Sequence, residues 1–466
     1  MMLKISWWLT FFILSTQALL GQVFHSADTA FLQASEKNQA VLLVFSGSDW
    51  CAPCIRFDKT ILQNEAFQHF SQSTLTILKA DFPQRKKLSK HIREQNDQLA
   101  ETYNPQGYFP HILLLNSNRT VIQTLSFQNQ TPREFIEQLQ ALLGKAPLPR
   151  KEYRYSTQLM GSAFEFAVVA PSHHAAKAQH LLKQGEAEVK RIEALISSWK
   201  DDSQTASINH ASGVKAVKVD DELFQLIKRS AEISQLTQGA FDITFAALDP
   251  YYHFDGTQNR LPDPKVINKT LPLIGYRQIQ LTPPDQIYLP TKGMKIGFGA
   301  IGKGYAADKV KKLLQNQGVK SGLINAGGDL VAWGKKADGS PWKIGIADPF
   351  NKKDILMWLE VQDQAIVTSG NYEKFIQVGQ ERYAHIIDPR SGQPAQGVVS
   401  VTVVQKSAEL ADALASAVFV LGVEVGLDLI NQLPDTECII VDSQKNIHYS
   451  QHIKYQQTDG ALTERQ

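Results

Sequence analysis

Val41-Leu42-Leu43-Val44-Phe45-Ser46-Gly47-Ser48-Asp49-Trp50-Cys51-Ala52-Pro53-Cys54 reads as a strand that passes through a short polar loop into a helix carrying two cysteines. The unbroken apolar run from Val41 to Phe45 is the pattern of a strand covered on both faces. A Cys-x-x-Cys pair at the start of a helix puts its first sulfur among unpaired backbone amides, at the positive end of the macrodipole. Both favour the thiolate, the attacking species in disulfide exchange. The second sulfur stands one turn along, where it can resolve a mixed disulfide. A structural disulfide or half of a zinc site would use the same pair, but a zinc site needs two more ligands at matching spacing, and the sequence offers none.

Working outward, Ile77-Leu78-Lys79-Ala80-Asp81 and His111-Ile112-Leu113-Leu114-Leu115 read as further strands. Apolar periodicity predicts helices over 29–37, 86–103 and 132–143. Short strands alternating with helices imply an α/β layer with a small central sheet, spanning 24–144. The stretch 145–152, rich in proline and basic residues, reads as a linker. A larger unit is expected over 153–455 and a polar, flexible tail over 456–466. The cluster Arg85-Lys86-Lys87 with Lys90 and Arg93 reads as a solvated helix face, the alternative being an anionic partner.

The chain has 466 residues, 43% hydrophobic and 20% charged, which excludes a disordered or collagen-like chain. With 48 basic and 46 acidic residues the net charge is +2, and no nucleic-acid partner is expected. Three cysteines exclude a disulfide framework. Residues 1–21 combine Lys4, an apolar stretch from Ile5 to about Leu14 and a small-residue exit, the composition of a secretory signal peptide. The mature chain is therefore expected to begin near Gln22 and to work outside the cytoplasm, in the periplasm or at the outer face of the inner membrane. Cys438, within Glu437-Cys438-Ile439-Ile440-Val441, is expected to be an inert buried thiol.

The larger unit carries compact motifs. Gly297-Phe298-Gly299-Ala300-Ile301-Gly302-Lys303-Gly304-Tyr305 sets four glycines and a lysine before a helix predicted over 306–315. Glycines admit close approach of backbone to an anion, and a helix N-terminus with a lysine adds positive potential. Asn325-Ala326-Gly327-Gly328-Asp329 reads as a second backbone-ligand site or as a plain hairpin turn. Asp412 and Ser416 share one face of an apolar helix. A carboxylate there either caps the helix or, with the hydroxyl, holds a hard cation such as Mg²⁺. His385-Ile386-Ile387-Asp388-Pro389-Arg390 ends a strand in a turn, with an imidazole beside two charges.

The stretch from Phe24 to Leu143 resembles the thioredoxin-like family, on the Trp-Cys-x-x-Cys loop that follows a strand. That resemblance implies Cys51 as nucleophile, Cys54 as resolving thiol and a cis Pro110 facing them, with an unknown thiol-disulfide partner. Residues 153–455 resemble the ApbE-type FAD:protein FMN transferases. The ordered series is Met160-Gly161-Ser162, Ser198-Trp199-Lys200-Asp201-Asp202-Ser203, Gly239-Ala240-Phe241-Asp242, the two glycine motifs, Val367-Thr368-Ser369-Gly370-Asn371-Tyr372, the His385 turn and the Asp412 helix. The fold class expected is α/β followed by α+β: a thioredoxin-like domain, then a larger ApbE-like domain of the T-fold type.

The same resemblance implies FAD contacts from Met160, Trp199, Ala240, Phe241, Asp242, Gly297, Lys303, His385 and Ile386. It implies Mg²⁺ ligation by Ala300, Asp412, Ala415 and Ser416. Gly297 stands where the family usually has Asp, Gly302 where it has Ala, and Ser416 where it has Thr. The reaction implied is attack of a Thr or Ser hydroxyl of an acceptor protein on the FMN-side phosphorus of FAD, with AMP leaving. His385 would take the hydroxyl proton and Lys303 would supply positive field. Any membrane contact would be made through the acceptor. Water as acceptor, giving an FAD pyrophosphatase, and a non-catalytic flavin-binding or thiol-redox protein are the alternatives.

Overall fold

The structure, a computed structural model, describes residues 23–144, 150–351, 353–372, 374–379, 381–456 and 462–464. The leader expected over 1–21 and the linker residues 145–149 lie outside these. The chain forms two compact units that divide between Leu148 and Pro149.

The first unit is a five-stranded sheet of β1 (Val23–Phe24), β2 (Ala40–Ser46), β3 (Leu75–Asp81), β4 (His111–Leu115) and β5 (Val121–Leu125), in the order β1-β3-β2-β4-β5. β2 lies parallel to β3 and antiparallel to β4, so it is central, and Val41 to Phe45 are all at most 1% exposed. Each face takes alternate residues. Leu42 and Val44 pack with Phe57, Phe67 and Phe135, whereas Val41, Leu43 and Phe45 pack with Phe31 and Leu99. The helices are α1 (Ala27–Glu36), α2 (Ala52–Phe57), α3 (Glu65–Thr74), α4 (Lys90–Tyr103) and α5 (Pro132–Leu142). The helix α5 begins where its sequence demands, with Pro132 in its first turn and a Thr131–Glu134 capping box.

The helix expected from residue 86 starts four residues later, capped by Ser89. The carboxylate of Asp49 explains the delay. It accepts the amides of Gln84, Arg85 and Lys86 at 2.9, 2.7 and 3.2 Å, holding that segment as a loop.

The second unit is built on eight strands: β6 (Arg150–Leu159), β7 (Ser162–Pro171), β8 (Gly322–Ala326), β9 (Asp329–Trp333), β10 (Gln364–Gly370), β11 (Val398–Gln405), β12 (Glu437–Asp442) and β13 (Ile447–Tyr449). They lie in chain order, every neighbour antiparallel. What sits between neighbours therefore emerges at one end or face of a single sheet. Between β7 and β8 come α6 (Ala175–Ile196), α7 (Asp221–Leu236) and α8 (Gly302–Asn316); between β11 and β12 comes α9 (Ala408–Leu421).

Strand β7 again shows the period of two. Phe164, Phe166 and Val168 join Leu182, Val189, Tyr305 and Val310 in the core beneath the helices, while Ala167 and Val169 join Trp342 and Met357 on the other face. Two boundaries differ from the sequence reading. Residues 150–152 belong to β6, where they pair with 169–171, not to a linker. The tail expected to be flexible carries a strand, 462–464, paired with 454–456, because backbone pairing needs no apolar side chain.

Candidate active site

In the first unit Cys51 is the N-cap of α2, its Sγ accepts the amide of Cys54 at 3.2 Å, and the two cysteines form a disulfide. The helix-terminal placement read from the sequence thus holds, and neither sulfur is left for a zinc site. Cys51 is 5% exposed and Cys54 1%. The Phe109-Pro110 bond is cis. Beside it, the Trp50 and Phe109 rings meet edge to face at 5.3 Å, and Phe82 meets Phe109 at 5.5 Å. Cys438 is fully buried in β12, and burial, reinforced by Glu437, pushes its thiol up to about 12.

In the second unit the sequence motifs converge on the start of α8. The Met160-Gly161 turn joins β6 to β7 with φ of 49° and 71°, the type I′ geometry that suits the twist of a tight hairpin. Its Met160 Cε lies 3.6 Å from where a Cβ of Gly302 would stand. The Gly327-Gly328 turn between β8 and β9 rests on the same hairpin, with the Gly327 amide donating to the Ala163 carbonyl at 2.9 Å. This is a plain hairpin turn in backbone terms, and its next residue, Asp329, is the informative one.

Asp329 is 1% exposed and its carboxylate pairs with Lys303 in the first turn of α8. Burial raises the Asp329 carboxyl above the usual range, and the Lys303 charge pulls against that rise. The ammonium is thereby fixed at the helix N-terminus. Lys303 is also close enough to His385 to act on it electrically. His385 directly follows the strand 381–384, and its Nδ1 lies 3.2 Å from the Lys374 carbonyl. Crowding by protein pushes the imidazole down to about 4, with the positive charges of Lys374 and Lys303 adding to the effect. A neutral ring whose Nδ1–H is given to a carbonyl presents Nε2 as a proton acceptor. Arg390 is committed to Asp388 by two hydrogen bonds, at 2.8 and 3.0 Å.

Helix α9 crosses α8 at Gly304. A Cβ there would stand 2.1 Å from the Ala408 carbonyl oxygen, so only glycine permits this approach. The approach brings Asp412 onto the Gly304 amide, which donates to its Oδ2 at 3.1 Å. Asp412 is therefore not the cap of its own helix; Ser407 holds that place. It serves instead an orphan amide of α8, and that amide's usual helical acceptor would be the Ala300 carbonyl. One turn further along α9, Ser416 Oγ lies 3.5 Å from Ser369 Oγ on β10, and Ala415 is fully buried.

Among the described residues no group of three His, Cys, Asp or Glu side chains could hold a metal. The oxygen donors gathered here are of another kind: one carboxylate, two hydroxyls and nearby carbonyls. That set suits a hard cation such as Mg²⁺, which takes few protein ligands and completes its shell with water and phosphate oxygens.

The remaining expected residues divide. Trp199 is 80% exposed on the loop after α6, its amide held by Ser197 Oγ at 3.2 Å, and a ring so exposed is available to stack. Its neighbour Ser198 reaches within 3.5 Å of the position a Gly297 Cβ would take, and Ala246 within 3.0 Å. Gly297 thus lets the loop close on both. Ala240, Phe241 and Asp242 are at most 4% exposed. The Asp242 carboxylate accepts the Thr244 amide and hydroxyl and the Tyr276 amide, at 2.8, 2.6 and 2.7 Å. These bonds commit it to the fold, so this segment offers a ligand mainly backbone. Ile386 is 9% exposed, and its carbonyl accepts the Ala395 amide. Sequence alone does not single out Asp329, Ser198 and Ser369. Each lay in a quoted motif, but only the tertiary contacts single it out.

The model of the ApbE family matches residues 160–440, and that of a thioredoxin-like family matches 23–117. An FAD:protein FMN transferase of Klebsiella pneumoniae (strain 342) is 32% identical, covering 66% of this chain and 95% of its own. One from Treponema pallidum (strain Nichols) is 31% identical, covering 64% and 87%. The crystal structure of the ApbE protein from Thermotoga maritima superimposes with a TM-score of 0.60 at 30% identity, over 64% of this chain and 97% of that one.

Proposed function

The chain belongs to the ApbE family, and from that premise we propose that it is an FAD:protein FMN transferase joined to a thiol-disulfide unit. The observation that carries this reading is the convergence on the start of α8 of Lys303 held by Asp329, His385, and Asp412 with Ser416. Met160 and the exposed Trp199 stand at its margins as surfaces for the flavin nucleotide.

FAD is the substrate, and its pyrophosphate meets the glycine-rich loop and the N-terminus of α8. Asp412, Ser416 and the carbonyls of Ala300 and Ala415 would hold Mg²⁺, which when bound neutralises charge on phosphate oxygens. Lys303, fixed by Asp329, adds positive field beside the leaving phosphate. His385 Nε2 takes the proton from the acceptor's Thr or Ser hydroxyl as that oxygen attacks the FMN-side phosphorus. AMP leaves, and FMN remains phosphoester-linked to the acceptor.

The signal-like composition of residues 1–21 supports an exported protein, acting on the extracytoplasmic side. Peptide sequencing of the mature N-terminus tests that point: an intact Met1 in the cytosolic fraction would oppose it. For the reaction, a candidate Thr or Ser acceptor incubated with the protein, FAD and Mg²⁺ should gain the mass of an FMN phosphoester. Free FMN and AMP without a mass gain would assign hydrolysis instead, and unchanged FAD would assign binding alone.

A further inference from the structure

A cleft of about 430 Å³ opens in the thioredoxin-like unit, lined in part by Phe82, Lys86, Lys87 and Arg93, with Asp81 and Asp97 as its carboxylates. It is tied to the dithiol loop at three points. The Trp50 indole N–H donates to the Phe82 carbonyl at 2.7 Å. The Ser48 amide and hydroxyl donate to the Asp81 carboxylate at 2.9 and 2.6 Å. The Asp49 carboxylate takes the amides of Gln84, Arg85 and Lys86. The residues just before Cys51 therefore fix the wall of the cleft; Arg85, Lys86 and Lys87 lie on a held loop, Lys90 and Arg93 on the start of α4, and all five are exposed. The same amides, that of Gln84 first, keep the Asp49 carboxyl below its ordinary range.

The charge in this place is unbalanced. Residues 23–144 contain eleven Lys or Arg and eleven Asp or Glu, yet five of the eleven bases fall within 85–93. Of the six bases elsewhere in the unit, Lys79, Arg119 and Arg133 have carboxylate partners and Lys37, Arg56 and Lys59 have no ion pair among the described residues, but those three are scattered; Lys90, at the edge of the cluster, is paired with Glu94. Lys86, Lys87 and Arg93 form no ion pair among the described residues. Asp81, hydrogen-bonded to Ser48 but still charged, and Asp97 are the carboxylates of the cleft, so its lining carries three cations against two anions. Three unpaired cations held beside a reactive disulfide repel one another, and they focus a positive potential on whatever approaches the sulfurs. The Trp50 ring, 42% exposed and bonded to the Phe82 carbonyl, stands between the cleft and Cys51 in the chain.

We propose that this cleft docks an acidic polypeptide segment of the thiol client and so presents the client's sulfur to Cys51. The proposal rests on the reading of this unit as a thiol-disulfide exchanger. In the direction set by the disulfide present, a client thiolate attacks Cys51 Sγ. The Cys51–Cys54 bond breaks, and Cys54 leaves as a thiolate and is protonated. The client's second thiolate then attacks its own sulfur in the mixed disulfide and expels Cys51, which takes the second proton. The client is oxidised by two electrons and the protein's disulfide is reduced, with no further reactant.

The test is single-turnover reduction of the oxidised full-length protein, followed by alkylation and mass spectrometry of Cys51 and Cys54. The reductants are neutral dithiothreitol and two synthetic dithiol peptides, one flanked by Glu and one by Lys. Each rate is normalised to that reductant's rate with 2-hydroxyethyl disulfide, which removes differences in intrinsic thiol reactivity. The Glu peptide should react about tenfold faster than the Lys peptide at low salt, with the preference collapsing at high salt. In the triple variant Lys86→Glu, Lys87→Glu, Arg93→Glu the preference should invert while the dithiothreitol rate holds. Equal normalised rates for both peptides, with dithiothreitol still reacting, would overturn the docking proposal alone. No reaction with dithiothreitol would overturn the exchanger reading beneath it.

Discussion

Replacing Gly304 by Ala tests whether the crossing of α8 and α9 builds the site. Gly304 is not among the glycines of positive φ, so alanine is compatible with its backbone. Alanine is also the better helix former by about 1 kcal/mol. The obstacle is tertiary. The added Cβ would stand 2.1 Å from the Ala408 oxygen, 2.6 Å from its carbonyl carbon and 2.9 Å from Asp412 Cβ, against ordinary contact from 3.4 Å. Two of those three atoms are backbone and cannot rotate away, so the helices must part by about 1.3 Å at the crossing. Overpacking of this kind costs about 1–3 kcal/mol, so the propensity gain offsets only part of it. The functional loss should be larger than the loss of stability. Asp412 and Ser416 ride on α9 and Lys303 on α8, and a misplacement of about 1 Å between groups that act together costs about 100-fold in rate. The control is Gly302→Ala, two residues away. Its Cβ would meet the Ile196 Cδ1 terminus at 3.0 Å and no other atom closer than 3.5 Å, so a side-chain rotation absorbs it. Urea unfolding of both variants with FMN transfer to an acceptor decides the matter. Wild-type stability and transfer in Gly304→Ala, or equal damage from Gly302→Ala, would refute the reasoning.

Asp412→Asn should keep the fold, since an amide oxygen can still accept from Gly304, but should lower transfer at limiting Mg²⁺ by about 100-fold or more, with Ser416→Ala milder. Near-normal transfer would reduce Asp412 to a cap for α8. Asp329→Asn takes the carboxylate from the Lys303 ammonium, whose side chain is 25% exposed, and should cost about 1–3 kcal/mol in urea unfolding, with added FAD restoring more stability than it gives the wild type, because its phosphates replace the lost anion. With His385 depressed to about 4, the neutral imidazole persists into mild acid, so the acid limb of the transfer rate should lie well below pH 6. The stability sign follows. On acidification the unfolded chain binds this proton first, so the contribution of His385 is complete above about pH 6.5 and is lost as pH falls towards 4. An acid limb near 6.5 would show an exposed imidazole. After reduction, iodoacetamide at neutral pH should label Cys51 first and leave Cys438 unmodified in the folded protein; early labelling of Cys438 would contradict its burial in β12.

What the sequence by itself determined was whatever depends on residues a few positions apart. The apolar run at Val41–Phe45 specified a central strand, and the spacing of Cys51 and Cys54 placed a dithiol on the first turn of a helix. Apolar periodicity marked the helix read over 132–143, and Asp412 and Ser416 were bound to share a face. These follow from the periods of helix and strand, which any short segment carries within itself. The tertiary structure alone decided which distant groups meet. Asp329 lies 26 residues from Lys303, and Asp412 lies 108 from Gly304. No pattern in either segment announces its partner, because antiparallel strands laid in chain order and the helices between them bring these ends together. The same holds for the loop at 84–86. The helix read from residue 86 is instead loop as far as Ser89, and the amides of Gln84, Arg85 and Lys86 are taken by Asp49, 35 to 37 residues earlier. Local sequence sets what a segment can form. Where an amide or a charge has a better partner across the fold, satisfying that buried or fixed group outweighs a propensity of a few tenths of a kcal/mol per residue.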